Sequence, residues 1–313
     1  MRSMKAVRIH SYGGSDVLSY EDAPRPTPAA GEVLVRVAAS SVNPFDCALH
    51  AGYMASYFNH SLPLIPGTDI SGTVEEVGPG VTSYRRGDEV YGRAGVSRDG
   101  AYAEYVVLPA TDIAPKPRSL DHGHAAALPH VTLTAWQALF EQGDLKPGQT
   151  VLIHAAAGGV GHVAVQLAKW RGAKVIGTAS RNIEFVRELG VDQAIDYSTT
   201  PFEEVAHDVD LVLDTIGGDT QQRSWGVLKK GGMLVSTVQP PSQETADSHG
   251  VRQGMVASNP PIDKTLTEVN RLVESGKIKP HVSATLPLKD IQQAHSMLEG
   301  RHTRGKIVLG VAQ

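Results

Sequence analysis

The chain is predicted to be an α/β protein in two parts: a β-rich first part, followed by a doubly wound parallel sheet. Three observations predict this. Residues 1–120 carry short apolar runs broken by glycine and proline clusters. From about residue 121 strand and helix signals alternate along the chain. Inside that alternation lies a short apolar strand, a turn of small residues and a helix, from Val151 to Ala164.

Taken in order, Val33, Val35 and Val37 alternate with Leu34, Arg36 and Ala38, the period of a strand with one face more buried. Similar runs follow at 69–77, 88–91 and 101–108, separated by Gly78-Pro79-Gly80 and Arg86-Gly87-Asp88. Strands this short and this punctuated predict a compact barrel-like domain. Further on, strands are predicted at 151–154, 174–178, 193–195, 209–214 and 232–238, with helices at 160–170 and 182–189. Such alternation argues for a parallel sheet covered on both faces. Residues 239–249 are polar and contain Pro240-Pro241, which predicts an unstructured connection: a binding loop, or a disordered surface insertion. Residues 263–275 predict an amphipathic helix with Leu266, Val269, Leu272 and Val273 on one side, and 306–309 a last strand.

Composition excludes several classes. The 313 residues hold 29 Lys+Arg against 33 Asp+Glu, and 32 Gly with 19 Pro. Glycine and proline thus stay below the ~25–30% that marks low complexity. A pI near 6.3 gives no electrostatic reason to bind nucleic acid or an anionic membrane. Cys47 is the only cysteine, so an intramolecular disulfide and a multi-cysteine zinc site are excluded. Residues 1–20 have no apolar core of a signal peptide. The most apolar stretch, 151–168, contains His154, His162, Gln166 and three glycines, unlike a membrane span. A soluble, cytoplasmic protein is expected.

The stretch Val151-Leu152-Ile153-His154-Ala155-Ala156-Ala157-Gly158-Gly159-Val160-Gly161 carries the most chemistry. Aligned to G-x-G-x-x-G, Ala156 takes the first glycine position and Gly158 and Gly161 the others. Gly158 lets backbone N–H groups approach a pyrophosphate, and Gly161 allows close packing of the helix. The helix N-terminus then offers donors and partial positive charge to the anion. Ala157, Gly158, Gly159, Val160 and Gly161 are therefore candidate cofactor contacts; tight packing in another α/β protein is the alternative. An NAD-preferring site needs a carboxylate about 20 residues further on, to accept from the ribose 2′-OH. Here stand Thr178-Ala179-Ser180-Arg181, with no acid before Glu184. Ser180 and Arg181 suit a 2′-phosphate, so NADPH is the expected cofactor, with a solvated helix-start residue as the other reading of Arg181.

At this point the sequence resembles the medium-chain dehydrogenase/reductase superfamily, in its zinc-independent NADPH:quinone oxidoreductase branch. The resemblance covers nearly the whole chain. It rests on Val42-Asn43-Pro44-Phe45-Asp46, Pro66-Gly67-Thr68-Asp69-Ile70-Ser71-Gly72, Gly100-Ala101-Tyr102-Ala103-Glu104-Tyr105, Leu133-Thr134-Ala135-Trp136 and Ala156-Ala157-Gly158-Gly159-Val160-Gly161. It implies a GroES-like catalytic domain over 1–121, an NADP-binding Rossmann domain over 122–279, and a return to the first domain over 280–313. It also implies Asn43 near the nicotinamide ribose and reactive ring, Thr134 beside the nicotinamide, and Tyr197 near the adenosine 2′-phosphate. Asp214 and Ile216 would form a turn beside the cofactor, Val238 would begin a loop over the nicotinamide, and Lys306 would lie in the C-terminal strand. Each also has a structural reading: helix stabilisation for Thr134, turn capping for Asp214, sheet packing for Tyr197. A homodimer is the family expectation.

Zinc alcohol dehydrogenases of this superfamily hold metal through a Cys and a Gly-His-Glu; the matching places here are Asn43 and Gly67-Thr68-Asp69. Cys47 is displaced by four residues, and Asp121-His122-Gly123-His124 reads as a polar turn, so no metal is expected. Without a Lewis acid, suitable substrates are already electrophilic: a quinone, or an enone or alkenal. Two alternatives stay open. Tyr53 occupies a place similar to the proton-donating tyrosine of 2-enoyl thioester reductases and would then be catalytic beside Asn43, or it is an aromatic that only lines the substrate mouth. Or the chain binds NADPH without catalysis. Tyr57, Phe58 and His60 are candidate neighbours of the substrate mouth. Ser/His/Asp hydrolysis lacks a G-x-S-x-G elbow.

Overall fold

The computed structural model describes residues 2–58, 60–257, 262–300 and 303–311. Its contacts divide the chain into two units: residues 1–130, 260–274 and 280–313 form the first, residues 131–259 and 275–279 the second.

In chain order the first unit opens with β1 (Ser3–Arg8) and β2 (Ser19–Pro24), an antiparallel pair. Then come β3 (Glu32–Ser41), α1 (Pro44–His50), β4 (Asp69–Val77), β5 (Glu89–Arg93), β6 (Tyr105–Pro109), β7 (Ile113–Pro115) and α2 (His122–Ala126). The second unit carries most of α3 (Pro129–Trp136), then β8 (Thr150–Ile153), α4 (Gly159–Arg171), β9 (Lys174–Ala179), α5 (Ile183–Glu188) and β10 (Gln193–Asp196). It continues through β11 (Val209–Asp214), α6 (Gly218–Ser224), β12 (Leu228–Ser236), α7 (Gln243–His249) and β13 (Arg252–Met255). The chain returns to the first unit with α8 (Asp263–Glu274), β14 (Val282–Pro287), α9 (Ile291–Glu299) and β15 (Lys306–Gly310).

In the first unit β3 is the central strand. It pairs antiparallel with β4, β6 and β15, and nearly every residue on both of its faces is buried, Arg36 being the exposed one. The sheet runs β14-β15-β3-β4-β5-β7. One apolar core gathers Val33, Val35, Val37, Ile70, Val90 and Leu108. A second joins Ile9, Leu64, Tyr102, Ile291 and Ile307. Helix α1 is set by local chemistry: Pro44 takes the first helical position, and the Asp46 carboxylate accepts from the Asn43 N–H at 2.9 Å.

The second unit is a six-stranded, wholly parallel sheet in the order β10-β9-β8-β11-β12-β13. The order reverses beside β8, so the β8–α4 turn lies at the topological switch point, where doubly wound sheets bind ligands. Leu152, Val212, Leu234, Phe202 and Trp225 pack one side of the sheet. Among the described residues no helix is long and apolar enough to cross a membrane.

Three expectations differ from what is observed. Residues 243–249 are helical rather than unstructured: Ser242 caps the Thr245 N–H at 3.2 Å, and Gly250 ends the helix in the left-handed region. The first expected boundary moves from 121/122 to 130/131, because α2 packs its Ala126 with Ala39 and Val308. Helix α8, expected with the nucleotide domain, belongs to the first unit. The Tyr91 hydroxyl donates to Leu266 O at 2.7 Å, and Asn270 Nδ2 donates to Pro115 O at 2.6 Å.

Candidate functional site

In the second unit the candidate site is the end of the parallel sheet. Ala155 follows β8 with φ of +47°, a strained conformation for an alanine. It is held there by neighbours: Ala156 N donates to Thr178 O at 2.9 Å, and Thr215 Oγ1 donates to His154 O at 2.9 Å. Gly158 then precedes α4 in an extended conformation, and no side chain caps the helix. The N–H groups of its first turn, at Gly159, Val160 and Gly161, have no acceptor within the helix. A pyrophosphate fits this cradle, since Gly158 puts no side chain between the anion and those donors.

His154 fastens the same strand ends. It is buried, with Nδ1 3.2 Å from Thr178 Oγ1 and Nε2 2.9 Å from Ser224 Oγ. Burial pulls its imidazole down to about 4 from 6.5, so it is neutral in the folded protein at neutral pH. The unfolded chain binds this proton first as pH falls, so stability rises with pH across the window between 4 and 6.5. Up to about 3 kcal/mol is lost on descending it, by the size of the shift. Denaturant melts from pH 7 to pH 5 are therefore expected to show a shallower loss in His154→Gln than in the parent chain. A residual slope will persist, because burial also pulls His130 to about 4 and His295 to about 3.

At the ends of β9 and β10, Ser180 Oγ donates to the Tyr197 hydroxyl at 3.1 Å. Tyr197 is 56% exposed, and Arg181 is exposed and, among the described residues, in no ion pair. The nearby carboxylate of Asp196 is engaged by Ser198, through its N–H at 2.9 Å and its hydroxyl at 2.6 Å. These hydrogen bonds hold Asp196 below the ordinary carboxylate range.

Asp214 behaves as the organiser of its turn. Its two oxygens accept from Ile216 N, Gly217 N, Gln221 Nε2 and Ser236 Oγ at 2.8–3.0 Å. That shapes the turn which leaves the Ile216 and Val238 side chains about half exposed. Thr134 is half-buried on α3.

In the first unit the candidates form a buried polar cluster. Asn43 Nδ2 donates to Thr68 Oγ1 at 3.0 Å and to Asp69 Oδ2 at 2.8 Å. Lys306 Nζ donates to Asn43 Oδ1, to Val42 O at 2.9 Å, and lies 3.4 Å from Asp69 Oδ2. Asp69 also accepts from Ser41 Oγ at 2.6 Å and His130 N at 2.7 Å. Burial opposes its ionisation, but the Lys306 ammonium and the Asn43 and Ser41 donors outweigh that and hold it below the usual carboxylate range. Burial pulls Lys306 below the lysine range, against the attraction of Asp69 and Asp46. Asp46, facing the Tyr102 hydroxyl at 3.1 Å, is pushed up to about 7 by burial and by the Asp69 carboxylate. The amide of Asn43 is thus fixed in one orientation by partners on both sides. Tyr53 is apart from this cluster: it follows α1, is 73% exposed, and lines a shallow pocket with Pro44, Cys47 and Ala48.

Asn43 and Lys306 are legible as site residues in the sequence, whereas the partners that hold these sites, Asp69, Asp46, Tyr102 and His154, come together only in the fold. Asp69 was visible only as a residue standing where a metal ligand stands elsewhere.

Comparison with known proteins agrees with this architecture. Residues 29–118 match the alcohol dehydrogenase GroES-like domain, and residues 189–309 match a zinc-binding dehydrogenase domain. The chain is 33% identical to the mitochondrial NAD(P)H oxidoreductase RTN4IP1 of Danio rerio, over 99% of this chain and 92% of that protein. It is 35% identical to the chloroplastic NADPH-dependent alkenal/one oxidoreductase of Arabidopsis thaliana, over 98% of this chain and 80% of that one. The quinone oxidoreductase structure from Coxiella burnetii superposes with a TM-score of 0.93 at 37% identity, covering 99% of this chain and all of the other.

Proposed function

The chain belongs to the medium-chain dehydrogenase/reductase superfamily, and from that premise we propose that it is an NADPH-dependent reductase of quinones or of activated enones and alkenals, working without zinc. The observation that carries the reading is the uncapped α4 N-terminus beside a β9 end bearing Ser180 and Arg181 in place of a carboxylate. The names of the Arabidopsis and Coxiella relatives support the substrate class.

NADPH supplies the hydride when bound. The first turn of α4 binds the pyrophosphate, while Ser180, Arg181 and Tyr197 take the 2′-phosphate, the guanidinium as a charged donor. Asp214 positions the turn carrying Ile216, and Val238 covers the cofactor. Asn43, Thr134 and Lys306 keep the nicotinamide-end assignments that the resemblance implies. At the place of the superfamily's zinc ligands, the donor set is an amide and a hydroxyl bonded to each other, with the Lys306 ammonium against Asp69. That set is poorly suited to a dication, and an electrophilic substrate needs only modest hydrogen bonding as charge develops on its oxygen.

Steady-state NADPH oxidation with a quinone, an alkenal and a crotonyl thioester tests this, with turnover expected on the first two. Turnover confined to the thioester and lost in Tyr53→Phe would favour the proton-donor alternative, and no turnover at all a binding protein. Arg181→Ala is expected to raise KM for NADPH about tenfold or more, the worth of a charge-assisted hydrogen bond to phosphate, and to leave NADH nearly unchanged. Equal losses for both coenzymes contradict the 2′-phosphate assignment. A cytoplasmic homodimer completes the proposal, its oligomeric state readable by light scattering.

A further inference from the structure

We propose that Cys47, His50 and His295 bind a single zinc ion at a site separate from the Asn43–Asp69–Lys306 cluster. Cys47 and His50 are three residues apart on α1 and so share a face; α9 brings His295 against it. The Cys47 Sγ and one nitrogen of each imidazole lie within 4.8 Å of one another. His295 Nδ1 is 3.5 Å from Sγ, and the two rings stand 5.1 Å apart between centroids.

The second nitrogen of each ring is already held. His50 Nδ1 pairs with Gly13 O at 3.0 Å, and His295 Nε2 with the Tyr102 hydroxyl at 3.2 Å. Outer partners of this kind fix the tautomer and orientation of metal-bound imidazoles. His50 is 1% exposed, and its Nε2 has no hydrogen-bond partner among the described residues. With Nδ1–H donating to a carbonyl, Nε2 carries a lone pair, and a buried acceptor left unpaired is costly and rare. A cation satisfies it.

One thiolate and two imidazoles with an open fourth position form a donor set suited to Zn2+. Tetrahedral zinc bonds of about 2.0–2.3 Å place nitrogen and sulfur ligands about 3.6 Å apart, and Sγ and His295 Nδ1, at 3.5 Å, already stand at that spacing. The shallow pocket lined by Pro44, Cys47, Ala48, His50, Tyr53 and Glu299 reaches two of the three ligands from solvent, and water takes the fourth place. As the Sγ–Zn bond forms, the thiol proton passes to solvent, and nothing is oxidised or reduced. The ion would tie α1 to α9, two elements far apart in sequence.

The test is a Co2+ titration of the tag-free, full-length chain, stripped with a chelator and dialysed. One equivalent is expected to produce a near-ultraviolet thiolate-to-cobalt charge-transfer band and tetrahedral visible bands, both removed by added Zn2+. Cys47→Ser should abolish the charge-transfer band, and His50→Gln should weaken Co2+ at least tenfold. Zn2+ should raise Tm in the parent chain and not in Cys47→Ser, whose metal-free Tm and circular dichroism report whether it folds. Failure to take up cobalt, uptake without the charge-transfer band, or a band surviving Cys47→Ser would each overturn the proposal.

Discussion

Replacing Lys306 by Met will destabilise the protein by about 3–5 kcal/mol, the cost of stranding a buried charge, and adding Asp69→Asn will return most of that loss. Both side chains are essentially inaccessible, and the ammonium stands 3.4 Å from the Asp69 carboxylate. Methionine preserves the length of the stem and removes the charge. Asp69 then keeps the Ser41, Asn43 and His130 donors and the attraction of the Arg93 guanidinium, which do not replace the lost ammonium contact. Asp46, already pushed up by burial and by the Asp69 carboxylate, takes up a proton more readily once the ammonium is gone. Neutralising Asp69 removes the unpaired charge at its source, so the double variant should lie well above the sum of the two single losses. Chemical denaturation of the four chains gives the coupling. Simple additivity would mean that the Asp69 and Lys306 charges do not depend on each other.

The sequence made some of this legible and hid the rest for identifiable reasons. Strand and helix alternation after residue 150 survives as the six-stranded parallel sheet, because a strand buried on both faces reads as a plain apolar run. The β8–α4 turn was readable because its chemistry is contiguous: strand, glycines and helix lie within a dozen residues. Helix α7 was not, since Pro240-Pro241 and a polar composition masked a Ser242 cap and a Gly250 stop that together suffice for two turns. Lys306 and Asp69 stand 237 residues apart, and His295 stands 248 from Cys47. Their pairing is decided by β15 folding back onto β3 and α9 onto α1, which no local periodicity encodes. The histidines at 122 and 124, close in sequence, read as a polar turn and take other partners. In the structure His124 turns to Asp121, and His122 to Ser71 and Glu89.

Two alanine substitutions in the β8–α4 turn are expected to part company, and their difference separates what the glycines do for the fold from what they do for the cofactor. A Cβ on Gly161 would stand 2.2 Å from Ala155 O and 2.7 Å from Ala156 Cα, both backbone atoms. The turn must therefore move, at about 1–3 kcal/mol in stability. Because Ala155 is already held at positive φ by Thr178 and its neighbours, that movement shifts the whole cradle. A misplacement approaching 1 Å lowers kcat/KM on the order of 100-fold. Gly158 differs. Its φ of −77° suits any residue, and an added Cβ would meet only Ala155 O, at 3.2 Å. Gly158→Ala should keep the parent Tm within a few degrees while its affinity for NADPH falls, because the methyl group occupies the approach to the α4 donors. Paired Tm and NADPH titrations of the two variants decide it. If Gly158→Ala binds NADPH as the parent does, the pyrophosphate does not rest on this turn, and the assignment of Ala157 through Gly161 falls with it.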